Sequence, residues 1–530
     1  MMERLRIFLS AALSAVLVLL APPAISNDEL TQRSFFPADL AEKANREGGR
    51  VFSMGDDSGI GFSQLGRWPD VICSSTKDPN CIFPQPGVEQ RTPYPFGAQI
   101  MLGVCSDARS EDCIESVRLK RGDGEYTELK FLRYQSTQYY LQRERDGEPF
   151  PADPSMNLPE GIHPSIWEEV RDGQAAPLKY FVYYKYNMGY DPQEKKFYIQ
   201  GVRLSIRPFR VEAPSWSALW SSDTSAGIQY EFPEGLTYQI TVRVTNKANG
   251  WYKARLASPD VQLDRFSATN NRLTVAGKPV TVPVFAFTRQ VAELTDREKE
   301  FKQALKGVHF VEPGMPEIFA YLDYFRPLVN DTTAYAKQYW TINSTNWESN
   351  NPCLSDKTRV VGIVSTNAMG YEGSAPRFQE ETLSYRVAGF HHSADGKTPN
   401  TGTYDLIIRS DAARCLYGFS DAPLSAVVSV TGAAGTENIA STIISERGGW
   451  LRLSAAGFTY SEKTINIKLV QSTKAAPSSN TPSEPKSTEV APAKPAKKTI
   501  SCIKGGVTKK VTGTSPRCPK GYKRALKSAP

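Results

Sequence analysis

Eight cysteines are the residues of this 530-residue chain whose number and spacing most clearly indicate chemistry. An even number of cysteines in an exported protein indicates disulfides, and pairing of neighbours is the most economical of the many arrangements that eight cysteines allow. Zinc binding is the alternative, but the sequence has no C-x-x-C motif and no histidine at zinc-ligand spacing. The predicted pairs are Cys73–Cys81, Cys105–Cys113, Cys353–Cys415 and Cys502–Cys518.

Binding of polyanions is the second chemistry that the sequence indicates, because basic residues gather at the end of the chain. The chain has 63 Lys and Arg against 56 Asp and Glu; without the eleven basic residues of 494–530, which contain no acid, the balance is 52 against 56. Such charge attracts polyanions and is screened over about 8 Å at physiological salt. The alternative is a tail that only aids solubility, but such a tail needs no pair of cysteines. The candidate polyanion-binding residues are Lys504, Lys509, Lys510, Arg517, Lys520, Lys523 and Arg524.

Two aromatic segments are candidates for stacking on a ligand. In "KYFVYYKYNMGY" (179–190), Tyr180, Tyr184 and Tyr186 fall on one face of a strand, and exposed aromatic stripes stack on sugars or form interfaces. The alternative is a strand that is buried on both sides. Trp216 and Trp220 in "PSWSALWSS" are spaced as helical neighbours, either packed together or forming a ligand platform.

Residues for catalysis or metal binding form no recognisable pattern. His391 and His392, with Asp395 close behind, are the one suggestive cluster, and a polar hairpin tip is the simpler interpretation, because adjacent strand residues point to opposite faces. The sequence has no G-x-S-x-G elbow. The two acids of a glycosidase need not be near in sequence, so none of the 56 acids is selected. We therefore predict no catalytic, cofactor-binding or metal-ligating residue, and no cofactor.

Residues 1–26 have the pattern of a secretory signal peptide. Arg4 and Arg6 precede an apolar run from Ile7 to Leu20, and small residues lead to Ser26. The alternative is a membrane anchor, but the run is short of the roughly 20 residues that a span needs. We expect a secreted, extracellular protein with no transmembrane segment after signal cleavage.

Alternation of apolar and polar residues predicts a mainly β protein with antiparallel, sandwich-like domains. Examples are "TYQITVRVT" (237–245), "GVRLSIR" (201–207) and "TINIKLV" (464–470). Helical spacing and a capping box at Thr295–Glu298 predict a short helical connector. The predicted parts are a signal peptide (1–26), a β-rich region of one or two domains (27–289), the helical connector (290–340), a second β domain (341–470), a disordered Pro/Ser/Ala/Lys linker (471–498) and a small basic module with two cysteines (499–530).

The C-terminal module resembles one found in secreted actinobacterial proteins. The resemblance lies in "TISCIKG" (499–505), "KKVTG" (509–513) and "PRCPKGYK" (516–523). The body resembles uncharacterised proteins of the same group through "DCIESV" (112–117) and "CLYGF" (415–419). The resemblance implies an exported or envelope-associated protein of a Gram-positive actinobacterium and implies no activity.

These observations predict an exported, non-catalytic protein that acts at the cell envelope in binding, adhesion or surface structure. Its expected partners are anionic cell-wall polymers or glycans, which the basic tail would meet outside the cell; no nucleic-acid partner is expected. The alternative is an extracellular hydrolase, acting for example on polysaccharide, whose carboxylates the sequence does not identify.

Overall fold

A computed structural model describes most of the chain between residues 40 and 471 and short segments near its end. The described residues are 40, 43–44, 46–55, 63–67, 71–86, 96–135, 149–170, 177–210, 228–301, 304–305, 308–344, 351–354, 356, 358–420, 424–432, 435–437, 441–460, 462–471, 498–504, 507–513, 518 and 523–524. The predicted signal peptide and nearly all of the predicted linker lie outside these residues.

The described residues are mainly β, as the alternation predicts. The strands are β1 Gly49–Met54, β2 Gln64–Arg67, β3 Val71–Cys73, β4 Gly97–Met101, β5 Cys113–Arg121, β6 Thr127–Glu128, β7 Lys130–Tyr134, β8 Ser165–Glu168, β9 Lys179–Asp191, β10 Lys196–Arg210, β11 Ile228–Gln229, β12 Leu236–Thr245, β13 Gly250–Arg255, β14 Ala257–Arg265, β15 Asn270–Lys278, β16 Val280–Val284, β17 Ala286–Gln290, β18 Ala304–Leu305, β19 Val308–Val311, β20 Tyr335–Tyr339, β21 Thr341–Ser344, β22 Val360–Thr366, β23 Gly370–Tyr371, β24 Arg377–Gln379, β25 Thr382–Ala388, β26 Thr401–Arg409, β27 Leu424–Gly432, β28 Gly435–Glu437, β29 Ser441–Arg447, β30 Trp450–Thr459, β31 Lys463–Gln471, β32 Lys498–Lys504, β33 Val507–Gly513 and β34 Lys523–Arg524. The α-helices are α1 Asp296–Glu300, α2 Ile318–Phe325 and α3 Ser410–Tyr417.

One large sheet runs through the body of the molecule. Its strand order is β29-β30-β26-β22-β13-β21-β10-β9-β4-β2-β3, with β8 added to β9, β7 to β8 and β11 to β10. One face of this sheet packs on a five-stranded sheet of order β14-β15-β12-β5-β6. Tyr184 and Leu204 of the large sheet and Val117 and Ile240 of the five-stranded sheet belong to the same buried cluster. The two sheets therefore form a β-sandwich.

A six-stranded sheet packs on the opposite face of the large sheet, near its other end. This sheet has the order β23-β25-β31-β27-β28, with β24 added to β25. Val364 of the large sheet packs in one cluster with Ile465 and Ile467 of the six-stranded sheet, whereas the adjacent Ile363 packs in the sandwich core. Since neighbouring strand residues point to opposite faces, the large sheet is covered on different faces by its two partners.

The predicted helical connector contains both helices and strands. The capping box is confirmed: Glu298 N–H donates to Thr295 Oγ1 at 3.2 Å, and Thr295 N–H donates to Glu298 Oε2 at 2.9 Å. The helical spacing of Phe301 and Leu305 predicts that this helix continues to Leu305, which is wrong, because α1 ends at Glu300 and Leu305 pairs with Val308 in a strand. The sequence also predicts a second helix that starts at Pro316 and ends by Pro327. It is confirmed as α2, which buries one face among aromatic residues of β1 and β17 and their neighbours.

Three of the four predicted disulfides are formed, with Cα–Cα distances of 5.4 Å for Cys73–Cys81, 5.0 Å for Cys105–Cys113 and 5.5 Å for Cys353–Cys415. Cys518 is also disulfide-bonded. The side chain of Cys502 lies outside the description, so its pairing with Cys518 stays a prediction.

The two β regions predicted on either side of the connector share the large sheet. Strands β22, β26, β29 and β30, from the predicted 341–470 domain, continue the sheet beyond β13 of the predicted 27–289 region. The junction is the parallel pairing of β13 with β22. The described residues up to Gln471 form one compact unit, and those from Lys498 onwards form another.

Arg255 joins the large sheet to the segment that enters the six-stranded sheet. Its side chain is 1% exposed and donates to the carbonyls of Thr366 at 2.9 Å and Ala368 at 2.5 Å. Its guanidinium also lies 4.5 Å from the ring centroid of Tyr371. The guanidinium thus supplies donors to carbonyls that lie in a buried environment.

We expect Arg255→Met to lower the free energy of unfolding by about 3 kcal/mol, because buried carbonyls that lose their donor cost about 1–3 kcal/mol each. Urea denaturation monitored by tryptophan fluorescence measures the change. The matched control is Arg272→Met on the five-stranded sheet, where the arginine is 39% exposed and pairs with Glu115; this change is expected to cost about 1 kcal/mol or less. Equal losses in the two variants would contradict the role given to Arg255.

Candidate functional site

A polar pocket lies on the large sheet where β2, β4, β9 and β10 run side by side. Register places Gln64 opposite Gln99, Gln99 opposite Asn187, and Asn187 opposite Gly201. Residues that are directly opposite share a face, so these amide side chains form a row across the sheet. The row lies on the face turned away from the sandwich core, because the alternate residues Ile100 and Tyr186 are in that core.

We call this cavity the Lys185 pocket; its volume is about 320 Å³. On the pocket's face of the sheet, the polar side chains are amides and one lysine. No carboxylate is among the lining residues in the described part of the chain. The lining residues are Gln64, Gly66, Phe96, Gly97, Ala98, Gln99, Lys185, Asn187, Met188 and Gln200.

Lys185 is the charged group of the pocket and is 6% exposed. Its Nζ donates to Gln99 Oε1 at 3.2 Å. Its cross-strand neighbours are Met101 on β4 and Arg203 on β10. Burial and, to a smaller extent, the positive charge of Arg203 together lower the pKa of Lys185 to about 7. Near neutral pH, a small change in the surroundings therefore decides whether the amine is charged.

Gln64 is the second buried polar residue of the pocket and is 4% exposed. Within the described residues, neither its Oε1 nor its Nε2 has a hydrogen-bond partner. A buried amide without partners is costly, at about 1–3 kcal/mol per group. Such a residue lining a cavity beside a buried lysine is a common property of binding sites, where a ligand supplies the partner.

Next to the lining residue Gln200, strand β10 carries an exposed aromatic side chain, Tyr198. Tyr198 is 49% exposed, and its hydroxyl accepts a hydrogen bond from Gln200 Nε2 at 3.2 Å. Gly189 on the neighbouring strand makes this arrangement possible. A Cβ atom at position 189 would lie 2.6 Å from both Gln200 Nε2 and the Tyr198 hydroxyl. The tyrosine ring and the amide thus lie directly over the glycine.

A second cavity, of about 380 Å³, lies beside a closed network of ion pairs. Arg409 Nη1 lies 2.6 Å from Asp356 Oδ2, and Arg409 also pairs with Asp411. Burial alone would raise the pKa of Asp356, but hydrogen bonds from Arg409 and Thr358 hold it well below its ordinary value. These charges already satisfy one another, so we regard the network as structural.

The tyrosines predicted as ligand-stacking candidates are core residues. Tyr180, Tyr184 and Tyr186 are all 1% exposed or less, so the stacking hypothesis is wrong for them. They are buried because β9 is central in the large sheet and its sandwich face packs on the five-stranded sheet. The Tyr186 hydroxyl donates to Asp112 Oδ1 at 2.7 Å, which satisfies its polar end inside the core. Trp216 and Trp220 lie outside the described residues.

The C-terminal unit contains a three-stranded antiparallel sheet of order β33-β32-β34. The stretch "TISCIKGGVTKKVTG" (499–513) predicts a short hairpin, and the antiparallel pairing of β32 with β33 confirms it. Lys509, Cys502 and Arg524 are directly opposite one another, so they occupy one face, together with the position of Lys504. The positions of Lys510 and Lys523 belong to the other face. Arg517 and Lys520 lie outside the described residues.

The histidine cluster occupies a turn, as its simpler interpretation predicts. Asp395 accepts hydrogen bonds from the backbone N–H groups of Lys397 and Thr398, both at 2.8 Å. The rings of His391 and His392 are nearly perpendicular, and His391 Nδ1 lies 3.2 Å from the Tyr460 carbonyl oxygen. In the described part of the chain, no group of three or more His, Cys, Asp or Glu is arranged to hold a metal ion.

Sequence reasoning missed the Lys185 pocket, although one signal was present. Lys185 is the only charged residue between Tyr180 and Tyr190, in a run whose aromatic residues fall on both faces of a strand. A lysine in such a run is expected to be buried, and a buried lysine needs a local reason. The amides beside it come from strands far away in the sequence, so the pocket itself was not visible.

No protein-family model and no curated protein matches this chain. Its function is therefore argued from its own residues and geometry.

Proposed function

We propose that this chain is an exported, non-catalytic protein of the cell envelope, whose C-terminal module associates electrostatically with anionic wall polymers while the β body carries out binding. One observation carries the proposal: the net positive charge of the chain is concentrated in a separate unit at its end, in which Cys518 is disulfide-bonded.

The backbone of the module supports an anchoring role. Five of the seven candidate basic residues belong to its three strands, and they occupy both faces of the sheet. An ordered sheet fixes the spacing of the backbone positions that carry these residues, whereas a coil that only aids solubility would not. Charges on both faces would allow the module to lie between neighbouring polymer chains.

Export is supported by the cysteines. Three disulfides within residues 73–415 suit an oxidising compartment outside the cytoplasm. Among the described residues, no helix combines the length and the apolar character needed to cross a membrane.

The alternative, a polysaccharide hydrolase, finds less support. A glycosidase needs a carboxylic acid whose pKa is raised, placed beside a second acid in a cleft. Burial raises the pKa of Asp405 to about 6, but this residue is 7% exposed and its carboxylate accepts the Ser454 hydroxyl between strands of the large sheet. The acid lining the second cavity, Asp411, is bound to Arg409, which keeps its pKa low despite burial.

The proposal is tested by co-sedimentation of the full chain with purified actinobacterial cell walls. We expect binding that weakens steeply as salt rises, and that falls roughly thirtyfold or more when residues 499–530 are removed, since each Lys or Arg near an anionic surface contributes about 1 kcal/mol. A matched variant replaces Lys504, Lys509, Lys510, Lys523 and Arg524 with glutamine and keeps both cysteines. Equal loss in this variant assigns binding to charge.

Wall binding that survives both changes would overturn the anchoring role of the module and place recognition in the β body. No binding by the full chain at low salt would overturn the envelope proposal.

A further inference from the structure

We propose that the Lys185 pocket binds a sugar acid: a single sugar residue of the uronic-acid type, with its carboxylate on Lys185, its hydroxyls on the amide row and its ring against Tyr198. This site lies in the β body and is independent of the basic C-terminal module.

The positive charge of the pocket indicates that the ligand carries a negative group. Lys185 is buried, and its Nζ has three donors, of which Gln99 accepts one. The nearest charged neighbour on the adjacent strand, Arg203, is also a cation and donates instead to Asn343 Oδ1 at 2.6 Å. With no carboxylate among the described lining residues, the pocket favours one negative group and disfavours an amine.

The amide side chains of the pocket indicate that the ligand carries hydroxyl groups. Gln64, Gln99, Asn187 and Gln200 all line the cavity, and each amide offers both a donor and an acceptor. A sugar hydroxyl is also both a donor and an acceptor, so amides suit it better than they suit a phosphate, which only accepts. Gln64 in particular is buried with both amide atoms unpartnered among the described residues, and a hydroxyl can satisfy them.

The size of the pocket and its neighbouring tyrosine indicate one sugar ring. A cavity of about 320 Å³ is at the lower end of ligand-pocket volumes, which suits a monosaccharide or the end of a chain. Tyr198 is half exposed and is hydrogen-bonded to the lining residue Gln200, so one face of its ring can pack against the C–H groups of a sugar held in the pocket. A simple inorganic anion would use neither the tyrosine nor the amide row.

The experiment measures binding of D-glucuronate, D-glucose and acetate to the full chain by isothermal titration calorimetry, with ligand-observed NMR for weak complexes. We expect glucuronate to bind at least about tenfold more tightly than glucose or acetate, because a charge-assisted hydrogen bond and the ring contacts act together. Lys185→Met should weaken glucuronate binding by about tenfold or more and leave the weak binding of glucose unchanged.

The matched control is Lys253→Met, which removes a half-buried lysine of the same large sheet outside the pocket. This control should bind glucuronate like the unmodified protein. Tyr198→Ala is a second test, because it removes an exposed side chain and so leaves the core intact. It should weaken the binding of glucuronate and of glucose by a similar factor of about three or more, since both sugars would lose the contact with the aromatic ring.

Each other outcome overturns a stated part of the inference. Acetate binding as tightly as glucuronate would reduce the site to one for small anions. Glucose binding as tightly as glucuronate, with no effect of Lys185→Met, would remove the lysine from recognition. No binding of any of the three ligands at millimolar concentration would overturn the sugar-acid site. Wall co-sedimentation is unaffected by these results, so the two proposals fail separately.

Discussion

Replacing Lys185 with methionine is expected to make the protein more stable at pH 7 and below, although the change removes a native hydrogen bond. In the folded protein the pKa of Lys185 is lowered from 10.5 to about 7 by burial. At about 1.4 kcal/mol per pKa unit, the cost of keeping the amine charged inside the protein reaches an upper limit of about 5 kcal/mol. Methionine has a similar length and no charge, so it avoids this cost.

The pH dependence of this gain has a definite sign. Below pH 7 the lysine is charged in both folded and unfolded chains, and the full cost is present. Between about pH 7 and 10.5 the folded state has lost the proton while the unfolded state still holds it, so the unmodified protein gains stability as pH rises. The difference between variant and unmodified protein is therefore largest below pH 7 and vanishes towards pH 10.5.

Urea denaturation of both proteins at several pH values measures this difference directly. The control Lys253→Met removes a lysine that is only half buried, and its effect on the free energy of unfolding should be small and nearly constant with pH. A loss of stability in Lys185→Met at pH 6, or a gain that does not change up to pH 10, would contradict the burial of a charged amine. A residue that costs stability but lines a pocket is typical of a functional site.

Loss of the Cys353–Cys415 disulfide is the second large effect that we expect. On the chain-entropy model, a bond that closes 62 residues stabilises the fold by about 4 kcal/mol, whereas the Cys73–Cys81 bond, which closes 8 residues, contributes about 2.5 kcal/mol. The long bond ties the segment before β22 to α3.

Double Cys→Ser variants at each pair, compared by urea denaturation under oxidising conditions, test this order. The short-loop variant is the control for loss of a disulfide as such. A larger loss from the Cys73/Cys81 variant than from the Cys353/Cys415 variant would show that strain or residual structure, and not loop length, decides the contribution of these bonds.

Local features of the fold were predictable from the sequence. Alternation located β12 and β31 almost to the residue, because each presents one face to a core. The Gly448-Gly449 pair in the sequence predicts a hairpin turn, which the structure has between β29 and β30; both glycines have positive φ, at 58° and 75°, as a tight two-residue hairpin needs. The prediction that neighbouring cysteines pair is confirmed for three disulfides. Two of these bonds join cysteines that are 8 residues apart, and the third joins cysteines that are 62 residues apart.

The arrangement of strands could not be predicted in the same way. The sequence suggested a separate β domain at 341–470, yet β22 of that range pairs with β13 to continue the large sheet. Alternation of apolar and polar residues shows that a strand has a buried face. It does not show which other strand lies beside that strand, because the backbone groups that form the hydrogen bonds are the same in every strand. The Lys185 pocket depends on this information, because its amides come from strands β2, β4, β9 and β10.

Strand pairing over long sequence separations also determines how this chain can fold. Ser53 of β1 donates through its Oγ to the carbonyl of Phe285, 232 residues later. The loops that such pairs close are long, so their entropy is lost before many native contacts form, and folding is slow. The body therefore cannot complete its sheets while the chain is emerging, whereas the two eight-residue cysteine loops can close at once. A long-lived unfolded state would suit the export that we propose, and it makes the order of disulfide formation part of the folding pathway.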